Sequence, residues 1–509
     1  MAIMVTTGVL LGFISLLFWW FWRKFSLQPS LKLPPGPRPL PIVGNLLMMK
    51  KYGSMADLAN ELKRKYGPIV TLWICSKPVV MISDPEIIQE AMITQGSIFK
   101  GRPQFQSVKI LLHGYRNLTY SMGERHRFLR KMLVSEILST KRVAGFRPIR
   151  EQEIDTLVES LKKKLGNGDE DNKKVGTVTN FRSMIRLTVC NLIVGVLFGR
   201  RLTLEEYIDL DAVMIKRLQL LVGKPRDFMS WLSWLPDRKA VKVQWELRRK
   251  ISQILEPLIE ERKQALKLEK PGHQTTYVDT LLELRDGKIQ SPVEILDTDL
   301  DLICSEVLNT GTDTTALNLE YCVANLINNP KIQEKLAQEI CEVVGERLVN
   351  EDDIPQLPYL QAVVKESLRR HSPARLAPPR RALSATKLAG YDIPVDTLVQ
   401  QHLEGVSLSS QIWEDPLEFR PERHLNKPLD ITGSTGITMI PFGVGRRICP
   451  AINIAFLHAE LILARLVQDF QWNSVTPGQP LDLTPGGTFT SPMKYPLVAA
   501  IQERLNVSK

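Results

Sequence analysis

No two of the six cysteines stand at a paired spacing: Cys75, Cys190, Cys304, Cys322, Cys341 and Cys449 are scattered along 509 residues, with no CxxC among them. That argues against a disulfide framework or a structural zinc site and fits a reducing compartment. The chain also lacks an internal repeat. After its N-terminal segment it has no composition break that would divide it, and its length is ample for a large core. Cations exceed anions, with a net charge of +11, which suits an anionic membrane or an acidic protein partner. No basic run is interleaved with aromatics, so nucleic acid is not expected as a partner.

Charge is missing altogether from Met1 to Trp22. Gly8 to Trp22 is nearly all apolar, ends on Trp19, Trp20 and Trp22, and is followed at once by Arg23 and Lys24. A membrane span needs about 20 such residues, with tryptophans at the interface and positive charge on the cytosolic side. The competing reading, a cleavable signal peptide, needs a charged start and a small-residue cleavage site, and both are absent. Residues 1–22 are therefore expected to be an uncleaved single-pass anchor in membrane lipid, with the body of the chain in the cytosol. Asn117-Leu118-Thr119 and Asn506-Val507-Ser508 match a glycosylation pattern that would then never meet its machinery. Residues 23–41 form a basic and proline-rich hinge: Leu33 to Pro41 holds prolines too dense for a helix, which favours a stiff extended spacer. Residues 42–509 are the expected catalytic domain.

Within that body, Pro68 to Ile74 and Pro78 to Asp84 read as a strand pair, rich in β-branched residues and bounded by breakers. Helical spacing dominates afterwards, over Glu151–Leu165, Phe181–Phe198, Val241–Leu268, Leu296–Asn328, Pro330–Val344, Tyr359–Arg370 and Ile452–Phe470. Gly166–Lys174 reads as a charged loop. The fold class expected is mainly α with small β-sheets.

The chemistry concentrates in Pro441-Phe442-Gly443-Val444-Gly445-Arg446-Arg447-Ile448-Cys449-Pro450. A glycine-rich turn delivers one cysteine to the start of an apolar helix. Gly443 and Gly445 permit backbone angles closed to other residues and a close approach to a bulky group. The helix start favours a thiolate over a thiol, and Arg447 suits a carboxylate. A lone cysteine is by itself most often a small buried hydrophobe, but the full pattern Phe442, Gly445, Arg447, Cys449 resembles the haem-binding loop of cytochrome P-450 monooxygenases. Ala451 stands where that family usually has glycine. The resemblance implies the P-450 fold, haem b whose iron is held by Cys449, and electrons from NADPH through a separate NADPH–cytochrome reductase.

Other segments resemble the same family. Glu366 and Arg369, three apart on one helix face, with Arg423 in Pro421-Glu422-Arg423, resemble its structural ion triad, although His424 stands where an aromatic is usual. Thr310-Gly311-Thr312-Asp313-Thr314-Thr315 reads as a local helix distortion with free hydroxyls, and it resembles the oxygen-activation segment, which implies that Asp313 and Thr314 relay protons. Thr310 replaces a smaller residue and narrows the space over the iron. The helix from Gly123 to Lys131 resembles the one that offers donors to the haem propionates. Arg130 matches there, His126 replaces a tryptophan, and Arg380 falls near the third donor. Each of these alone reads more readily as a solvated surface cation.

The resemblance therefore implies a monooxygenase anchored in the endoplasmic reticulum, acting with O2 on a small hydrophobic substrate. Leu388–Pro394, Asp430–Pro441 and Val467–Trp472 are most like a plant group that hydroxylates or epoxidises fatty acids within the chain, in making cutin-type lipids. Ile110, Leu111, Leu112, Leu376, Ala377 and Phe489 are the expected apolar wall, and Lys109, Arg116 and Arg375 the candidate cations for a carboxylate. Terpenoid or phenylpropanoid oxidation is the alternative. A rearranging relative that does not use oxygen, and a non-catalytic haem sensor or electron carrier, are the rivals; neither needs Asp313-Thr314. Phe228–Leu235 is too apolar for an ordinary loop and reads either as core or as a segment dipping into the membrane interface.

Overall fold

The computed structural model describes residues 31–166, 177–229, 237–268, 274–425, 430–487 and 489–504, together with Gly8, Gly12 and Ser15, which are helical. Apart from those three positions, the expected anchor lies outside the described residues. So do the basic start of the hinge, nearly all of the charged loop and Ser230–Leu235.

The helices named below are α1 (Met55–Tyr66), α2 (Gly123–Leu133), α3 (Arg147–Gly166), α4 (Phe181–Phe198), α5 (Leu204–Leu220), α6 (Arg238–Leu268), α7 (Tyr277–Arg285), α8 (Asp297–Asn328), α9 (Pro330–Val344), α10 (Pro358–Arg370), α11 (Leu403–Ser407) and α12 (Ile452–Asp469). The seven helices read from periodicity all form, each end within four residues of the expected one. Sequence spacing missed α5, although its start carries a capping box: the Thr203 hydroxyl accepts from the Glu206 N–H and the Glu206 carboxylate from the Thr203 N–H, a Thr-x-x-Glu signal that the pattern search could have used.

Strands β1 (Ile69–Ile74) and β2 (Lys77–Ile82) pair antiparallel as expected, Ile69 opposite Ile82. The sheet then grows by chain segments far away: β4 (Arg380–Arg381), introduced after β3 (Thr177–Asn180), and β7 (Leu398–Gln401), which follows the small hairpin β5 (Thr386–Leu388)–β6 (Tyr391–Ile393), give the order β1-β2-β7-β4. A second sheet orders β3 beside β9 (Val498–Glu503) and β8 (Phe470–Ser474). These late strands were not legible from local pattern.

Helix α8 is the axis. Residues on almost every side of it are buried. Its C-terminal half joins α3, α10 and α12 in one apolar core, while its N-terminal half packs with α4, α6 and α7 in another. Gly311 lies against Ile193 of α4; a Cβ there would stand 3.1 Å from Ile193 Cδ1. The glycine thus serves close helix packing, and α8 runs on through it as helix, where a local distortion was expected. Among the described residues, one helix is long and apolar enough to cross a membrane, Phe181–Phe198, and it is α4, mostly buried in this core.

The proline segment is not a free spacer. The Thr71 N–H donates to the Pro35 carbonyl at 2.8 Å, and a Cβ on Gly36 would fall 2.0 Å from the Thr71 carbonyl oxygen. The hinge is therefore laid along β1, and its prolines, with no N–H to leave unsatisfied, suit that edge.

Candidate active site

Cys449 lies three residues before α12. Its own N–H donates to the Phe442 carbonyl at 3.1 Å, closing the loop, and the Phe442 ring packs 5.6 Å from that of Phe456 on α12. Gly443 and Gly445 both hold positive φ, +69° and +73°, as the glycine pattern required. Their uses differ. A Cβ on Gly445 would stand 2.1 Å from the Met92 carbonyl oxygen, so that close approach is to protein backbone; around Gly443 there is open space. Burial pushes the Cys449 thiol up, while the Ala451 N–H and the Arg130 guanidinium favour the thiolate. Of the six cysteines, Cys75, Cys190, Cys304 and Cys322 are buried, Cys341 is exposed, and Cys449 keeps partial access.

Beside this loop, four guanidiniums converge. Arg130 of α2 donates to the Ile448 carbonyl at 2.7 Å. Arg447 donates to the Ser121 carbonyl at 2.7 Å and lies 2.8 Å from His126 Nδ1. Arg380 on β4 is 4% exposed, yet its Nε and one Nη have no partner among the described residues. Arg102, which sequence reasoning missed because nothing in its spacing marks it, donates to the carbonyls of Thr119 (3.1 Å) and Pro378 (2.6 Å). None of the four is ion-paired among the described residues. Burial, followed by mutual repulsion, pulls Arg447 down to about 9 and Arg380 well below its usual range; burial pulls Arg102 to about 10. His126 is held near 4 by burial and by Arg447, hence neutral at physiological pH. Buried unpaired cations are costly, and this group calls for an anionic partner. Two haem carboxylates, with iron on the one accessible thiolate of the loop, fit that donor set.

The candidate oxygen-activation residues stand on α8. Thr310 and Thr314, one turn apart, keep accessible surface where most of this helix is buried. Their hydroxyls are not free, as had been expected: Thr310 donates to the Glu306 carbonyl at 2.8 Å and Thr314 to the Thr310 carbonyl at 2.7 Å. Each still offers its oxygen lone pairs. Asp313 is buried and bonded to Arg186 of α4, which also holds Asp211 of α5 at 2.6 Å; the second oxygen of Asp313 has no partner. Burial would weaken the hold of Arg186 on its proton, but Asp313 and Asp211 raise it above the usual value. The sequence marked Asp313 and gave no sign of Arg186.

Several expected substrate residues are placed otherwise. Arg375 is held by Asp57 at 2.6 Å and by Glu404 at 2.8 and 2.7 Å, so its charge is already answered and it is not a free cation for a carboxylate. Arg116 is likewise gripped by Asp299, with two contacts of 2.7 Å. Leu111, Leu112 and Ala377 are core residues, 2%, 0% and 6% exposed. Ile110, Leu376 and Phe489 remain half-buried.

Glu366, Arg369 and Arg423 do meet. Arg369 forms a bidentate pair with Glu366 (2.7 and 2.8 Å), and Arg423 Nε reaches it at 3.1 Å. His424, noted only as a departure, joins as a fourth member at 2.8 Å from the same carboxylate. Arg369 also donates to the carbonyls of Ser407, Pro416 and Glu418, tying the segment that leads into the cysteine loop.

A family model described as cytochrome P450 matches residues 34–498. The chain belongs to the cytochrome P450 family. This P450 is 32% identical to (+)-menthofuran synthase of Mentha piperita, over 99% of each chain. It is 31% identical to the flavonoid 3'-monooxygenase of Petunia hybrida, over 90% of this chain and 88% of that one. A structure of a zebra fish cytochrome P450 with abiraterone shares its fold, with a TM-score of 0.72 at 21% identity, covering 88% of this chain and all of the other. The P450 is thus a plant-type haem-thiolate monooxygenase whose NADPH electrons arrive through a redox partner.

Proposed function

We propose that this P450 oxygenates a neutral hydrophobic molecule, held by apolar contacts and without a dedicated cation. The observation that carries this is the double capture of Arg375 by Asp57 and Glu404 together with that of Arg116 by Asp299. The relatives named for menthofuran and for a flavonoid favour a terpenoid or phenylpropanoid substrate. The sequence segments 388–394, 430–441 and 467–472 favour a second reading, oxidation within a fatty acyl chain. On that reading recognition comes from the chain, at ~0.8 kcal/mol for each buried methylene, and not from a carboxylate. Haem difference spectra taken with a monoterpene, a flavonoid, a long-chain fatty acid and its methyl ester separate the readings. The acid and ester are expected to bind alike or not at all; an acid bound at least tenfold tighter than its ester overturns the absence of a cation.

Haem held here would supply oxygen activation, and the Cys449 thiolate would increase electron density at its iron. The residues have separate tasks. Cys449 would hold the iron, and Arg102, Arg130, Arg380 and Arg447 the carboxylates. Phe442 packs the loop in place behind the ligand. With its own proton on the Thr310 carbonyl, Thr314 presents an acceptor oxygen to the chamber, and Asp313 keeps one unpartnered carboxylate oxygen one residue away. Together they would order the proton supply. Thr314→Ala should load haem normally yet give about tenfold less product per NADPH consumed, with the difference appearing as peroxide. An unchanged product yield removes Thr314 from that role.

The electron donor on this reading is NADPH–cytochrome reductase, and the site of action is the cytosolic face of the endoplasmic reticulum. Residues 1–22 anchor the chain, residues 23–41 link it, and 42–509 carry the chemistry. Near the end of the hinge, Leu40, Ile42 and Leu47 are 52%, 50% and 60% exposed. The β1–β2 turn joins this region to the segment entering Phe228–Leu235: the Cys75 N–H donates to the Val43 carbonyl and the Ser76 N–H to the Phe228 carbonyl. Phe228 itself packs on Phe105, at 5.4 Å. This apolar corner suits the membrane side of the molecule.

A further inference from the structure

Glu306 lies on α8, one turn before Thr310 and two before Thr314. It is buried, 8% exposed, and forms no ion pair among the described residues. Its carboxylate gathers three donors from three consecutive residues of one loop: the Asn117 side-chain amide at 2.7 Å, the Leu118 N–H at 2.7 Å and the Thr119 N–H at 2.9 Å. Two turns earlier on α8, Asp299 grips Arg116 of the same loop and Arg125 of α2. From the other side, Arg102 takes the Thr119 carbonyl and Arg447 the Ser121 carbonyl. Residues 116–121 are therefore a strap strung between the oxygen-side helix and the arginine cluster.

We propose that Glu306 is a positioning residue that latches this strap over the iron chamber and so sets access to it. A carboxylate is needed because both of its oxygens face N–H donors. Glutamine keeps the shape but turns its NH2 towards a backbone N–H, so at least one bond is lost and the loop is pushed away. Glu306 in turn partly offsets the effect of burial on the Arg102 and Arg217 guanidiniums. The same contacts account for Asn117, whose side chain is engaged with Glu306 and 2% exposed, although its sequence matches a glycosylation pattern.

The latch rests on the reading that this loop roofs the chamber, so the test uses imidazole, which binds the iron directly and requires no knowledge of the substrate. Full-length Glu306→Gln is purified with haem and quantified by its carbon-monoxide band. Amide exchange in the peptide covering 116–121 should quicken about tenfold, the loss of one charge-assisted hydrogen bond, and imidazole association should quicken several-fold. Peptides from α9, remote from the strap, should exchange as in the wild type. Asn117→Ala, which removes one donor and leaves both backbone bonds, should show a smaller change in the same direction. Unchanged exchange and imidazole association in Glu306→Gln overturn the latch. If that variant fails to load haem, unchanged values in Asn117→Ala overturn it instead, and a partial acceleration there supports it. Failure of the haem-site reading would appear separately, as a thiolate band that survives loss of Cys449.

Discussion

Cys449→Ala yields no thiolate band under carbon monoxide and no NADPH-dependent product, while replacement of Cys75, Cys190, Cys304, Cys322 or Cys341 leaves the band in place. This is the largest effect expected from any single atom of the chain. Cys449 combines partial access with an N–H and a guanidinium that favour its thiolate. Burial pushes the buried cysteines up, as it does Cys449, with Cys190 and Cys322 carried to about 12. A thiolate is the metal-binding form, so those side chains act as small hydrophobes. The measurement is a reduced carbon-monoxide difference spectrum of each purified variant; a surviving thiolate band in Cys449→Ala removes this residue from the iron.

Nearly as large an effect is expected from Glu366→Ala or Arg369→Ala, far from any reacting atom. Both side chains are fully buried, and removing one leaves the other uncompensated, which costs about 3–5 kcal/mol out of a typical total of about 5–15 kcal/mol. Arg369 would also lose its geometry towards the carbonyls of Ser407, Pro416 and Glu418, so the path into the cysteine loop loosens. Little haem-loaded protein should be recovered, whereas Arg423→Lys, which retains a cation, should load more. Acid offers a second readout. Burial works against the Glu366 charge, but Arg369 and His424 hold its folded-state value to about 2, below the ordinary 4.5. A carboxyl depressed in this way stabilises the fold at all pH above its ordinary value. The contribution is lost only as pH falls from about 4.5 to about 2. Haem release should steepen in that window in the wild type. Normal folding and loading of both alanine variants would end the structural role.

Local pattern carried far because much of this protein is long helices whose apolar faces repeat every few residues. It also carried the cysteine loop, where glycines with positive φ, an arginine and a thiol must follow in one order. What escaped was non-local. β4 and β7 join β1–β2 only after some three hundred residues of intervening chain, and two-residue strands have no periodicity to find. Arg375 shows the same boundary. From its neighbours it was a cation beside an apolar wall, and only the fold brings Asp57, 318 residues away, to 2.6 Å.

By itself, then, the sequence determined the helical class, the glycine–arginine–cysteine order of the loop expected of this family, and the carboxylate–arginine pair three residues apart. In each the participants are chain neighbours, so spacing alone specifies them. Tertiary structure decided everything that depends on which charges meet across the chain: that Arg102 joins Arg130, Arg380 and Arg447 without an acid, that His424 completes the Glu366 cluster, that Arg186 holds Asp313, and that Glu306 collects three donors from one loop. Such contacts are chosen by burial, because a charge removed from water must find its complement wherever the packed chain places one, and no pattern along the sequence records that place.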